Sequence, residues 1–216
     1  MSDFTSFSLP GFGDVDIWWI DLDRIEDESP LVLTHEERPR AERFRSPSDR
    51  ARWTRAHVAL RQTLTGYTEM VPEAIQMTHG IAGKPALVGE PSLRFNLAHA
   101  GARAALAVAR DREVGIDLEP IDPGLDVSPL LAVACSQTEA ARIAALAPLA
   151  RPEAFLTCWT LKEAYLKGIG AGLSRDPRTI EIALLPDDCV IVTDRPRFGL
   201  GRRGGCPRSR AINRDA

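Results

Sequence analysis

The chain has 216 residues, 27 of them Lys or Arg and 30 Asp or Glu, for a formal charge of −3 at pH 7. That balance gives no global reason to expect a nucleic-acid partner. With 44% hydrophobic and 26% charged residues, it has the make-up of a globular protein of one large or two small domains. No stretch approaches the roughly 18 uninterrupted apolar residues of a membrane-spanning helix, so no membrane association is expected.

In chain order, residues 1–10 lack a basic n-region and an apolar core segment. Residues 15–22 are short, apolar and aromatic, and they predict a strand. Helical spacing runs over residues 40–66, where Trp53, Ala56, Leu60 and Leu64 form a core-facing stripe and Gly66 is the expected stop. The same region crowds Arg38, Arg40, Arg43, Arg45, Arg50, Arg52, Arg55 and Arg61 among Glu36, Glu37, Glu42 and Asp49. Such a cluster is either a solvated helix surface or a phosphate-binding patch.

Residues 72–77 allow a short segment, and His79-Gly80-Ile81-Ala82-Gly83-Lys84-Pro85 is rich in turn residues. Two apolar runs, 93–97 and 104–109, predict strands joined by a loop holding His99, although the alanines weaken the second. A polar turn then leads into a predicted strand over residues 114–118, followed by a proline-rich loop from 120 to 129. Ser136 and Glu139 form a capping box that opens a helix to about residue 146. A second helix starts near Pro152 and is expected to close at Gly168. Strands are expected over 179–185 and 190–193. Residues 195–216 are Arg- and Gly-rich with almost no apolar periodicity, and they read as a disordered tail without site residues.

The cysteines Cys135, Cys158, Cys189 and Cys206 form no CxxC pair and no zinc pattern, so free thiols in a reducing cytoplasm are expected.

Two segments carry chemistry. Gly115-Ile116-Asp117-Leu118-Glu119 places two carboxylates two positions apart, which on a strand puts them on one side, roughly 7 Å apart. About forty residues later, Trp159-Thr160-Leu161-Lys162-Glu163-Ala164-Tyr165-Leu166-Lys167-Gly168 sets Glu163 and Lys167 one helical turn apart. Taken singly, each has a plain reading: a half-exposed strand, and a surface ion pair stabilising by a few tenths of a kcal/mol. Taken together, three carboxylates and a lysine suit a hard divalent cation and a phosphate, which points to phosphoryl chemistry. His99 alone reads as a structural or exposed histidine. Lys84, stiffened between Gly83 and Pro85, reads as a plain turn or as a rigid presenter of one ammonium to a phosphate.

In their order, these segments resemble the 4′-phosphopantetheinyl transferases, specifically the monomeric surfactin-synthetase-activating type. The matching stretches are Arg43-Phe44, Asp49-Arg50-Ala51-Arg52, Gly83-Lys84-Pro85, Phe95-Asn96-Leu97-Ala98-His99-Ala100-Gly101 and Gly115-Ile116-Asp117-Leu118-Glu119. Phe155, the stretch from Trp159 to Lys167, and Gly172-Leu173-Ser174 complete the pattern.

The resemblance implies an α+β fold of two similar, pseudo-two-fold related halves, each a small antiparallel sheet with a long helix. Residues 1–112 would form the first half and 113–194 the second. The implied reaction moves phosphopantetheine from coenzyme A to a serine of an acyl or peptidyl carrier protein, releasing adenosine 3′,5′-bisphosphate. By motif position, Asp117, Glu119 and Glu163 are the implied ligands of magnesium, with manganese as a substitute. Glu163 is also the implied base. Lys167 and Lys162 are implied partners of the pyrophosphate. Lys84 and His99 are implied contacts to coenzyme A phosphates, and Arg52 and Arg40 lie near the 3′-phosphate. The family usually flanks the histidine with serines, whereas this chain has Ala98 and Ala100. That change and the altered tail leave an alternative open: a catalytically weak relative that binds coenzyme A or a carrier domain.

Overall fold

Two sheets, each lined by one long helix, organise the chain. The computed structural model describes residues 14–25, 33–80, 82–184, 190–194, 203–204 and 209–212. The first sheet has the strand order β4-β5-β1-β9, from β1 (Val15–Asp21), β4 (Leu93–Ala100), β5 (Arg103–Arg110) and β9 (Ser209–Ile212). Its neighbours are antiparallel except β1 and β9, which run parallel. The hairpin β2 (Met77–His79) and β3 (Pro85–Leu87) stands apart from it.

Helix α2 (Pro47–Thr68) covers one face of this sheet, after a short helix α1 (Glu37–Glu42). The Ser46 side chain accepts from the Asp49 amide to start α2, and Pro47 occupies its first turn. Leu60, Leu64 and Tyr67 pack on Phe95, Leu106 and Val108. The helix runs through the buried Gly66 and ends two residues later at Thr68, where Glu69 takes a left-handed conformation. Gly66 is therefore a packing position and not the stop that its residue type suggested.

The opposite face alternates in register, as a pleated sheet requires. Ala105, Ala107 and Ala109 are each 2% exposed or less. Ala107 and Ala109, with Val15 and Ile17, receive Val114 and Ile116. The alanines that weakened the sequence case for β5 are what let the next segment approach this closely.

The second unit is built on α5 (Arg151–Ile169), flanked by α3 (Ser128–Ala134) and α4 (Gln137–Ala144). Phe155, Leu156 and Leu166 of α5 pack with Ile143, Ile180 and Ile182. The expected capping box is present at Ser136 and Glu139. Strands β6 (Ile180–Leu184), β7 (Val190–Asp194) and β8 (Arg203–Gly204) form an antiparallel sheet. No helix among the described residues is long and apolar enough to cross a membrane.

Several expectations are corrected here. His99 lies on β4, paired with Ala104, and not in a loop. Helix α3 occupies part of the stretch expected to be loop. Gly168 lies inside α5, which is closed instead by Gly170 at φ 64°. The tail contributes strand pairing at 203–204 and 209–212, so its removal would strip β1 of a partner. The other tail residues lie outside the described ones.

Among the described residues, the predicted strand at 114–118 joins no ladder. Its backbone is held by other partners. The Ile116 amide donates to Asn96 Oδ1 at 2.9 Å, and the Lys84 ammonium donates to the Val114 carbonyl at 3.0 Å. At Gly115 the chain lies directly on α5: a Cβ there would stand 2.0 Å from the Ala164 carbonyl oxygen and 2.3 Å from the Gly168 nitrogen. Only glycine allows that approach.

Candidate active site

The contact of Gly115 with α5 brings the two chemical segments together. Lys167 Nζ donates to Asp117 Oδ1 at 2.6 Å, with the Asp117 side chain 8% exposed and Lys167 31%. The other oxygen, Asp117 Oδ2, is buried without a hydrogen-bond partner among the described residues, and so is Glu163 Oε1. Buried carboxylate oxygens without donors are costly unless something positive meets them. Their chemistry fits a hard cation, which takes oxygen ligands.

Glu163 shows the same strain electrically. Burial pushes its carboxyl above the usual carboxylate range, and the charge of Asp117 adds to this. Lys167 opposes the shift, and Glu119 contributes to it. An acid so raised binds its proton more tightly in the folded chain than in the unfolded one. Glu163 therefore favours the fold while protonated, and that stability is lost as pH rises through its folded value. Glu163→Gln is expected to raise the melting temperature of the cation-free protein at neutral pH. Below the carboxylate range the two proteins should melt alike, a difference that paired thermal melts would measure.

Asp117 and Glu119 are thus both in electrostatic reach of Glu163, yet the three do not close into a tight ligand set. Among the described residues, the one group of His, Cys, Asp or Glu with ligand atoms all within 4.8 Å is Cys135, Glu139 and Cys158. That group already holds a cation of its own, the Lys162 ammonium, 2.5 Å from Glu139 Oε2. It is best described as a buried ion pair beside two thiols.

This corrects the role read for Lys162. The side chain is 0% exposed and donates to Glu139, to the Ala134 carbonyl and to the Pro177 carbonyl. It ties α3, α4 and α5 together from within the second core and has no donor left for a pyrophosphate. Lys162→Met would leave Glu139 buried without its counter-charge, expected to cost about 3–5 kcal/mol. Paired thermal melts of the variant and the unaltered protein would measure this.

The remaining expected contacts divide. His99 and Arg40 join the cluster: the His99 pKa is lowered by burial first, then by the charges of Lys167 and Arg40. Arg40 sits in the last turn of α1 with its guanidinium 5.9 Å from the Trp53 ring centre, and His57 stacks on that ring at 3.7 Å. Burial holds the His57 pKa down to about 4, so it is neutral at physiological pH. A lysine and an arginine whose charges bear on a half-buried histidine make a ready anion site, because an anion among them would offset that positive charge.

Arg52 instead pairs with Asp23 at 3.2 Å on the surface. Most of the arginine cluster is internally engaged. Arg61, 1% exposed, donates to Glu37 and to the carbonyls of Pro72 and Ile75, and Arg50 donates to those of Glu42 and Phe44. Lys84, read as a phosphate contact, is held by Glu113, Val114 and Gly168.

The sequence reasoning missed Asn96, Glu113 and Gly115 as organisers of the site. Asn96 had a visible signal, an amide side chain in the middle of an apolar strand run, which is expected to be buried only with a partner.

Comparison with known proteins bears on the same residues. Residues 113–202 match the family model described as the 4′-phosphopantetheinyl transferase superfamily. Over 193 residues the chain is 34% identical to the 4′-phosphopantetheinyl transferase HetI of Nostoc sp., covering 87% of this chain and 81% of that protein. It is 27% identical over 168 residues to a 4′-phosphopantetheinyl transferase of Bacillus subtilis, covering 77% and 73%. With the transferase AcpT of Escherichia coli O157:H7 it shares 36% over 121 residues, spanning 58% of that relative.

Proposed function

The chain belongs to the 4′-phosphopantetheinyl transferase superfamily, and from that premise we propose that it transfers phosphopantetheine from coenzyme A to a carrier-protein serine. The observation that carries this reading is the pair of donorless buried oxygens, Asp117 Oδ2 and Glu163 Oε1, beside the Lys167 ammonium. Acids brought together at such a cost in charge suit a site that receives both a cation and a polyphosphate.

Magnesium, or manganese in its place, would be held by Asp117, Glu119 and Glu163; when bound, it offsets charge and polarises the pyrophosphate as a Lewis acid. The protein's own groups do the rest. Glu163, its pKa raised by burial and by Asp117, accepts the proton of the serine hydroxyl. The serine oxygen forms its bond to the β-phosphorus as the bond from that phosphorus to the bridging oxygen breaks. Adenosine 3′,5′-bisphosphate leaves with the electron pair. Lys167 holds Asp117 in place and offsets negative charge on the leaving side. His99 and Arg40 contribute the positive field that receives the phosphates, and Arg52 reads the 3′-phosphate after parting from Asp23.

In this reading the two sheet-and-helix units are halves related by an approximate two-fold axis, with coenzyme A in the cleft between them, as in the surfactin-synthetase-activating type. The protein acts as a cytoplasmic monomer, on an acyl or peptidyl carrier domain whose acidic helix meets a basic and apolar surface. The test is product analysis. Adenosine 3′,5′-bisphosphate should appear in proportion to carrier consumed when protein, coenzyme A, magnesium and an apo carrier are combined. Consumption of coenzyme A without that nucleotide would contradict the reaction.

A further inference from the structure

The hairpin β2–β3 presents Lys84 from a stiff turn. The Gly83 amide donates to the Gly80 carbonyl, the Gly80 amide to the Lys84 carbonyl, and Gly83 takes φ 81°. The stem of Lys84 then passes 3.6 Å from where a Cβ on Gly170 would stand. Its ammonium ends against three acceptors: Glu113 Oε2 at 2.5 Å, the Val114 carbonyl at 3.0 Å and the Gly168 carbonyl at 2.6 Å. An ammonium has three donors, so all are engaged.

These partners are not arbitrary. Gly168 lies in the last turn of α5, where carbonyls lack intrahelical donors and a cation is favoured. It follows Lys167 directly and comes about 1.4 turns after Glu163. Val114 begins the segment that reaches Asp117 three residues later. Among the described residues that segment has no strand partner, so its place is set by a few other contacts. Asn96 holds Ile116, Gly115 rests on α5, and Lys84 fastens Val114 to Gly168. Without the ammonium, two carbonyl oxygens and a carboxylate would face one another unshielded. Glu113 is steadied in turn by Arg94, which donates to its other oxygen at 2.8 Å.

We propose that Lys84 is a positioning residue, clamping the end of α5 to the segment of Asp117 and thereby setting Asp117 against Glu163 and Lys167. Its effect on transfer then runs through the acidic cluster and not through a phosphate of coenzyme A. The inference rests on the function proposed above, and it departs from the phosphate contact that the family resemblance implies for this lysine.

The experiment uses Lys84→Met, which keeps the stem and removes the donors, and Glu113→Ala, which loosens the clamp from its acceptor side. Each is compared with the unaltered chain in kcat, KM for coenzyme A and Mn2+ affinity by electron paramagnetic resonance without turnover. Lys84→Met is expected to lower kcat about 10- to 100-fold and to weaken Mn2+ binding about tenfold, the range seen when groups supporting metal ligands are removed. KM for coenzyme A should stay within about twofold. Glu113→Ala should move all three readouts in the same direction by less, and it alone decides the matter should Lys84→Met not fold. A raised KM with unchanged kcat and Mn2+ affinity would overturn the proposal. So would tighter coenzyme A binding by Glu113→Ala, the result expected if freeing Lys84 supplied a phosphate contact. An unaltered chain that binds Mn2+ but transfers nothing would instead refute the proposed function, while the Mn2+ comparison would still decide for or against the clamp.

Discussion

Asp117→Asn is expected to lower kcat/KM for carrier modification by about a thousandfold. The change keeps the shape of the side chain, removes its charge and breaks the 2.6 Å ion pair with Lys167. Charge stabilisation at a metal-assisted phosphoryl site is worth several kcal/mol, and about 4 kcal/mol corresponds to that factor. The fold should survive, because Lys167 is 31% exposed and can be solvated when its partner becomes neutral. Steady-state kinetics with a melting control would check this. A variant that melts normally and transfers at the full rate would remove Asp117 from the chemistry.

Gly115→Ala should have the largest effect on the fold itself. A methyl group there would overlap the Ala164 carbonyl oxygen at 2.0 Å and the Gly168 nitrogen at 2.3 Å. Both are helix backbone and cannot rotate aside, so either α5 or the segment must move bodily. We expect a loss of at least about 3 kcal/mol, the upper range of single core changes. For a chain of this size that is about 6–12 °C in melting temperature. Gly80→Ala is the control, because its nearest neighbour would lie at 3.7 Å. A Gly115→Ala protein that melts like this control would show that the two segments do not touch as described.

Much of the architecture was readable locally. Helix α2 announces itself through the stripe of Trp53, Ala56, Leu60 and Leu64, although the break before Pro47 that separates it from α1 went unread; α4 does so through its capping box, and α5 through the proline in its first turn. β1, β4 and β6 appear as apolar runs between turn residues. The acidic pair and the Glu163–Lys167 turn were legible because spacing alone shows which side chains share a face.

What escaped was set by partners far away in sequence. Residues 114–118 have the alternation of a strand, but Asn96 and Lys84 supply the hydrogen bonds that a neighbouring strand would have given. Lys84 looked available because its acceptors, on Gly168 and Val114, are backbone atoms that no motif reveals. Lys162 could have been placed better. Adjacent helical residues diverge by about 100°, so Lys162 cannot face where Glu163 faces. Its burial against Glu139, Ala134 and Pro177 follows from that geometry plus a core no local window contains. The tail misled because Arg and Gly do not signal strands, yet strand pairing by backbone needs no particular side chain, as the parallel match of Ser209–Ile212 with β1 illustrates.

The central claim is that this chain attaches phosphopantetheine to a carrier protein through the cluster of Asp117, Glu119, Glu163 and Lys167. Its most direct test is to incubate the protein with an apo carrier, coenzyme A and magnesium, and to weigh the intact carrier by mass spectrometry. The account predicts a gain of one phosphopantetheine group on a single serine, abolished by excess chelator and by Asp117→Asn. A carrier that keeps its mass here, while another transferase of the family modifies the same preparation, would contradict the account, as would full modification in excess chelator.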